Sequence, residues 1–172
     1  MTRYAAFLRG VNVGGVTLKM ADVARAFEDA GFSNVATVLA SGNVLLDSPA
    51  AVNSVRSRAE KALRDAFGYD AWVLAYDVDT VRAISENYPF EREVEGHHSY
   101  VTFVTDPDVL DELAGLSAGP DEKIARGDGV VYWQVARKST LESAIGKTMG
   151  KKRYKSSTTT RNLRTLVKVL SR

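Results

Sequence analysis

A glycine-rich loop follows the first apolar run of the chain and carries positive charge at its start. Residues 9–15 have the sequence Arg-Gly-Val-Asn-Val-Gly-Gly, and Gly10 and Gly15 have the glycine spacing of a phosphate-binding P-loop. A P-loop continues with Lys and then Ser or Thr, whereas Val16 and Thr17 follow here. Because that lysine is missing, we do not expect nucleotide hydrolysis. Adjacent glycines before a helix still favour an anion, although a turn that needs positive φ would also select glycine.

A second polar turn, Ser41-Gly42-Asn43, joins strands that we predict at residues 34–39 and 43–47. In the fold predicted below, the first and third strands are neighbours, so the end of the first lies beside the start of the third. This topology predicts one anion-binding patch edged by Arg9, Asn12, Gly14, Gly15, Lys19, Ser41 and Asn43. The alternative is that Ser41 and Asn43 only shape the hairpin, because both residue types favour turns.

Charge is divided unevenly along the chain. Residues 137–172, here called the basic segment, hold eleven Lys or Arg and one acid, whereas the other residues hold twelve bases and twenty acids. This asymmetry indicates either an anionic partner or an internal electrostatic clasp, and the sequence leaves both open. The candidate ligand contacts in the basic segment are Thr160, Arg161, Asn162 and Lys168. The run of hydroxyl residues at 156–160 suits phosphate contacts and equally suits a helix cap.

Several classes of function find no support in the composition. The chain has no Cys, which excludes disulfides and thiolate chemistry. His97 and His98 are its only histidines, and neighbours on a strand point to opposite faces, so we assign them a structural or surface role. We therefore predict no metal and no cofactor. With neither a signal-peptide pattern nor a membrane-length apolar run, we expect a cytoplasmic protein without a membrane partner.

The apolar periodicities predict an α+β fold. Residues 1–76 follow the order β-α-β-β-α-β, which is typical of a ferredoxin-like split β-α-β unit. Residues 77–172 form a less regular α+β half, and a degenerate copy of the first half remains open. In this second half we predict helices at 79–87, 107–116, 140–149 and 160–171, and strands at 99–105, 122–126 and 130–135. The length suits a single domain with these two subdomains.

A set of motifs resembles a known family. The set comprises residues 7–15, Lys19-Met20, residues 31–35, residues 41–44 and Thr159-Thr160-Arg161-Asn162 before Lys168. Together they resemble the bacterial domain of unknown function family 1697 over essentially the whole chain. The resemblance implies an α+β protein with ferredoxin-like organisation and no established activity, substrate or cofactor. Leu163 stands where the family usually has Trp, which speaks against ring stacking beside Arg161.

Three functions follow from these patterns. The first is a binding module for an anionic ligand, namely nucleic acid, a nucleotide or a small phosphorylated metabolite. The second is an enzyme that acts on a small phosphorylated or carboxylated metabolite in the same cleft. The third is a structural or interaction protein without a ligand, in which the basic segment clasps the acidic remainder. We predict the first, and the residues leave the other two open.

Overall fold

The described residues form eight strands and five helices. The computed structural model describes residues 1–11, 16–92, 94–119, 122–137, 148 and 154–172. Its elements are β1 (Thr2–Leu8), α1 (Met20–Asp29), β2 (Ser33–Val38), β3 (Asn43–Ser48), α2 (Val52–Phe67), β4 (Val73–Asp77), α3 (Val78–Glu86), β5 (His97–Val104), α4 (Pro107–Ala114), β6 (Lys123–Arg126), β7 (Val130–Ala136), β8 (Thr158–Asn162) and α5 (Leu163–Leu170). Among the described residues, no helix is long and apolar enough to cross a membrane.

Two compact units make up the described chain. The first unit comprises Met1–Arg82 and Lys168–Arg172, and the second unit comprises Ala83–Val167. The sheet of the first unit has the strand order β2-β3-β1-β4, and all of its pairs are antiparallel. With α1 and α2 as the crossovers, this order confirms the ferredoxin-like split β-α-β unit predicted for residues 1–76.

The second helix illustrates how the sequence fixes the core of the first unit. Val55, Ala59 and Leu63 follow one another at intervals of four, so they share one face of α2, and all three are fully buried. They pack in one cluster with alternate residues of β1, namely Tyr4, Ala6 and Leu8. The helix ends at Gly68, whose positive φ of 67° allows its N–H to donate to the carbonyl of Arg64 over 2.9 Å.

The second sheet repeats the topology of the first. Its order is β6-β7-β5-β8, again antiparallel, so the second, third, first and fourth strands of each unit follow one another in space. In both units the fourth strand leads directly into a helix, α3 or α5. The helix predicted at 140–149 lies outside the described residues, except for Thr148, which is helical.

The last strand corrects one of the sequence-based expectations. The helix predicted at 160–171 begins at Leu163, and the preceding residues form β8. Threonine is β-branched and suits a strand, and β8 pairs along β5 from Thr158 opposite Val104 to Asn162 opposite Tyr100. The basic segment thus supplies an edge strand of the second sheet.

The short helix α4 packs against the second sheet. The carboxylate of Asp106 accepts a hydrogen bond of 2.9 Å from the N–H of Asp108, so Asp106 is the N-cap of α4. Leu110 and Leu113 of this helix pack in one buried cluster with Trp133 of β7. These contacts bury one face of the second sheet.

Candidate functional site

The end of β1 lies against the turn that begins β3. Phe7 is opposite Asn43 in the sheet register, and the N–H of Leu8 donates to the carbonyl of Gly42 over 2.8 Å. Gly42 has a φ of +88°, and a Cβ there would lie 2.7 Å from Val11 Cγ2 and 2.9 Å from Leu8 Cβ. Only glycine therefore fits without displacing its neighbours. The structure thus brings the 41–43 turn and the start of the glycine loop together, as the topology predicted.

The amide of Asn43 is committed to the turn itself. Its Nδ2 donates to the carbonyl of Val38 over 2.8 Å and to Ser41 Oγ over 2.9 Å, and the residue is 1% exposed. Both N–H groups of the side chain therefore stabilise the hairpin. These bonds give Ser41 and Asn43 a role in shaping the hairpin.

Arg9 follows β1 immediately and is partly buried. Its backbone N–H donates to the carbonyl of Trp72 over 3.0 Å, which extends the pairing of β1 towards β4. Burial lowers the pKa of the Arg9 guanidinium, but an arginine remains protonated at neutral pH. A cation partly withdrawn from water interacts more strongly with an anion than a fully solvated one does.

The two ends of the glycine loop are joined by a backbone bridge. Gly10 is exposed with a φ of +72°, and no atom lies within 4 Å of the position a Cβ would take. Val11 is buried and forms an isolated parallel bridge with Val16. The predicted site residues Asn12, Gly14 and Gly15 lie outside the described residues. The bridge fixes the two ends of the four-residue segment that contains them.

Lys19 stands at the start of α1. It is exposed and is the N-cap residue by its backbone conformation, without a capping hydrogen bond from its side chain. Its carbonyl accepts hydrogen bonds from the N–H groups of Asp22 and Val23 at 3.0 and 3.1 Å. The Lys19 side chain thus adds charge near the start of the helix that follows the glycine loop.

The three consecutive site residues of the basic segment belong to β8 in the second unit. Thr160 Oγ1 lies 2.8 Å from Thr102 Oγ1, which also accepts from Trp133 Nε1 at 2.9 Å. Arg161 is 7% exposed, and its Nη1 donates to Thr159 Oγ1 and to the carbonyl of Thr160 at 2.7 and 2.9 Å. These polar groups therefore form hydrogen bonds within the sheet.

Asn162 and Lys168 lie at opposite ends of α5. Asn162 Oδ1 accepts a hydrogen bond of 2.9 Å from the N–H of Arg164, so the side chain caps the helix. Lys168 is exposed in the last turn, where its charge suits the negative end of the helix dipole. Its carbonyl accepts from the hydroxyl of Ser171 over 2.8 Å.

Six of the predicted site residues therefore fall into two groups. Arg9, Ser41 and Asn43 meet at one end of the first sheet, whereas Thr160, Arg161 and Asn162 form one strand of the second. Among the described residues, no cluster of three or more metal-ligating side chains is present. Sequence reasoning did not find the bridge between Val11 and Val16. The apolar character of Val11 and Val16 at the two ends of the loop is consistent with that bridge.

A protein family and a solved structure are similar to this chain. The family described as "Protein of unknown function (DUF1697)" matches residues 1–132. The chain belongs to this family. The family match includes Arg9, Lys19, Ser41 and Asn43 and ends before the basic segment begins. The resemblance inferred from the sequence motifs is thereby confirmed.

A solved structure extends the likeness beyond the family match. The fold is similar to that of a conserved bacterial protein, SP0830 from Streptococcus pneumoniae, with a TM-score of 0.82. The sequences are 23% identical, and the match covers 99% of this chain and 97% of that one. At this identity the likeness establishes the fold alone, and it includes the basic segment. No curated protein matches the chain.

Proposed function

We propose that this member of the family is a binding module for an anionic, phosphate-bearing ligand. The ligand is a nucleic acid, a nucleotide or a small phosphorylated metabolite. Arg9 and Lys19 supply positive charge, Asn12 orients the ligand, and the backbone of Gly14 and Gly15 contacts phosphate oxygens. The turn at Ser41 and Asn43 holds the end of β1 in the conformation that presents Arg9.

The observation that carries the proposal is the position of Arg9. Its guanidinium is partly buried at the end of a central strand, directly before an exposed glycine of positive φ. Partial burial disfavours the charged form, as the lowered pKa of Arg9 reflects. A bound anion offsets that cost, and the N–H groups of a glycine loop add donors for its oxygens.

The basic segment contributes unequally to this proposal. Thr160, Arg161 and Asn162 support the fold, because their polar atoms already serve a core hydrogen bond, a strand contact and a helix cap. Lys168 is exposed and remains a candidate ligand contact. Among the site residues predicted from the sequence, Thr160, Arg161 and Asn162 are therefore the less favoured as direct contacts of the ligand.

The test compares two arginine variants of equal charge. Arg9→Gln and Arg25→Gln each remove one positive charge, but Arg25 is exposed on α1 and outside the site. We expect Arg9→Gln to weaken binding by at least about tenfold, the effect of losing one charge-assisted contact. Arg25→Gln should bind within about twofold of the natural chain, because screened surface charges contribute little.

Two assays cover the possible ligands. Fluorescence anisotropy with short labelled single- and double-stranded nucleic acids, repeated over a range of salt, gives a slope that counts neutralised phosphates. Thermal shift measurements with nucleotides and inorganic phosphate detect small anions through the stability that binding adds. Arg9→Lys separates charge from geometry, because lysine keeps the charge but loses the guanidinium fork. Equal binding by folded Arg9→Gln and Arg25→Gln would refute the proposed site.

A further inference from the structure

A cavity of about 50 Å³ opens in the second unit between the start of β5 and the start of α5. Its charged and polar lining consists of Arg92, His97, His98, Ser99, Asn162 and Arg164. A water molecule needs roughly 10–15 Å³ of such space, so the cavity has room for about three or four waters. That volume suits a single oxyanion of phosphate size and is too small for a nucleoside.

The lining is strongly cationic. Arg164 is exposed and lines the cavity, and the charge of Arg137, the residue that follows β7, also acts on His98. In the described part of the chain, neither of these arginines forms an ion pair. Burial lowers the pKa of His98 first, and the charges of Arg137 and Arg164 lower it further. Positive charge is thus concentrated around His98, while the neighbouring Glu95 is exposed and its backbone carbonyl lies 3.1 Å from His97 Nδ1.

The backbone holds these cations in fixed relative positions. His98 pairs with Val135 in the β5–β7 ladder, and the N–H of Arg137 donates to the carbonyl of Gly96 over 2.9 Å just beyond that ladder. On the opposite edge of β5, Asn162 of β8 caps α5 and so fixes the backbone of Arg164. Arg164 of α5 therefore lines the cavity beside the histidines of β5, and the backbone of Arg137 is held next to the start of β5.

A second arginine of the lining is anchored by its own loop. Arg92 Nη1 donates to the carbonyl of Ser85 over 2.6 Å, and its Nη2 donates to Ser85 Oγ over 3.1 Å. The carbonyl of Arg92 in turn accepts from Ser99 Oγ over 3.2 Å. These bonds tie the loop before β5 to the sheet, so the wall of the cavity is preorganised rather than formed on binding.

We propose that this cavity is an anion site of its own, which holds one phosphate-sized oxyanion against His98 and Arg164 with Arg137 contributing charge. Guanidinium groups donate two parallel N–H bonds to the oxygens of phosphate, and a histidine adds a donor that is strongest when protonated. The site goes beyond the proposed function, because its charged residues differ from Arg9 and Lys19 and lie in the second unit.

The two histidines make the cavity directly observable. They are the only histidines in the chain, so the two Cε1–H signals in a proton NMR spectrum both report on this site. We would titrate the full chain with inorganic phosphate near neutral pH, exchanging it for chloride at constant ionic strength. We expect saturable shifts of the histidine signals and a rise in the pKa of His98, because a bound anion offsets the charges of the two arginines.

Two variants decide between specific binding and a general salt effect. Arg164→Gln should weaken the phosphate affinity by at least about tenfold. Arg137→Gln should weaken it by less, because Arg137 does not line the cavity, and Arg25→Gln should leave it unchanged. Arg164 is exposed and its cap involves only its backbone, so this variant should fold. Absence of a saturable shift, or an unchanged affinity in folded Arg164→Gln and Arg137→Gln, would overturn the proposal.

The outcome is separable from that of the first proposal. Arg9→Gln should leave the phosphate titration of the histidine signals unchanged. Arg164→Gln, conversely, should retain the ligand binding at the glycine loop that Arg9→Gln weakens. Histidine shifts that disappear in Arg9→Gln but persist in Arg164→Gln would assign the phosphate to the glycine loop and overturn the site at His98.

Discussion

The hydroxyl oxygen of Thr102 on β5 lies 2.8 Å from that of Thr160 on β8, although the two residues are 58 positions apart. Trp133 Nε1 on β7 donates to the same Thr102 oxygen over 2.9 Å. Three strands therefore share one chain of hydrogen bonds, and Thr102 at its centre is fully buried. Because a buried hydroxyl without a partner is costly, this chain favours the observed strand order. It also ties the basic segment into the core of the second unit.

Replacement of Thr160 by valine tests whether this residue supports the fold or contacts a ligand. Thr160→Val keeps the β-branched shape and removes the hydroxyl, so we expect the free energy of unfolding in urea to fall by about 1 kcal/mol. Thr2→Val, at an exposed position of β1, should change it by less than about 0.5 kcal/mol. Unchanged stability together with weaker ligand binding in Thr160→Val would instead assign Thr160 to the ligand.

A pair of glycine variants separates backbone strain from steric conflict. Gly42→Ala places a Cβ 2.7 Å from Val11 Cγ2 at a φ of +88°, so we expect it to destabilise the first unit by about 2–3 kcal/mol. Gly10→Ala has a similar positive φ of +72° but open space around the new methyl group, and should cost about 1 kcal/mol. Urea unfolding measures both, and equal costs would mean that the turn relaxes away from Val11.

The cap of α5 gives a third test. Asn162→Ala removes the acceptor for the N–H of Arg164, and we expect a loss of about 0.5–2 kcal/mol in the free energy of unfolding. Asn162→Ser retains a side-chain oxygen that can cap the helix and should recover most of that stability. Equal losses in the two variants would show that Asn162 stabilises the chain through an interaction other than the cap.

Local periodicity was sufficient to predict the first unit. The four-residue spacing of Val55, Ala59 and Leu63 and the turn at Ser41 to Asn43 define elements that pair with near neighbours in sequence. Strand β8 was missed because its side chains are polar, a pattern that usually indicates an exposed segment. Its burial arises from pairing with β5, more than fifty residues earlier, which no local pattern reports.

The difference between local and long-range contacts also explains how much of the candidate sites the sequence could predict. The pairing of β1 with β3 follows from a standard topology, so the neighbourhood of Gly10 and Ser41 was predictable. The adjacent histidines gave no signal of a cavity, because Arg164, which lines it with them, is more than sixty residues away in sequence. His97 and His98 both line that cavity despite their alternation along β5, since His97 is the first residue of the strand.

The lowered pKa of His98 predicts how stability depends on pH. Burial, followed by Arg137 and Arg164, lowers this pKa in the folded protein below the value of about 6.5 for an exposed histidine. Between the two values the unfolded chain binds more protons than the folded chain, so acidification favours unfolding. The stability contributed by neutral His98 is fully present above about pH 6.5 and is lost as the pH falls through the folded-state pKa.

Urea unfolding between about pH 5.5 and 7.5 measures this dependence above the range in which most carboxylates titrate. We expect the free energy of unfolding to fall with decreasing pH, and His98→Gln should flatten the curve because glutamine does not titrate. Arg164→Gln should raise the pKa of His98 only in part, because burial, the larger cause, remains. An NMR titration of the His98 Cε1 proton, assigned by its absence in His98→Gln, gives the midpoint directly. A midpoint at or above about 6.5 would contradict both the expected pH dependence and its cause.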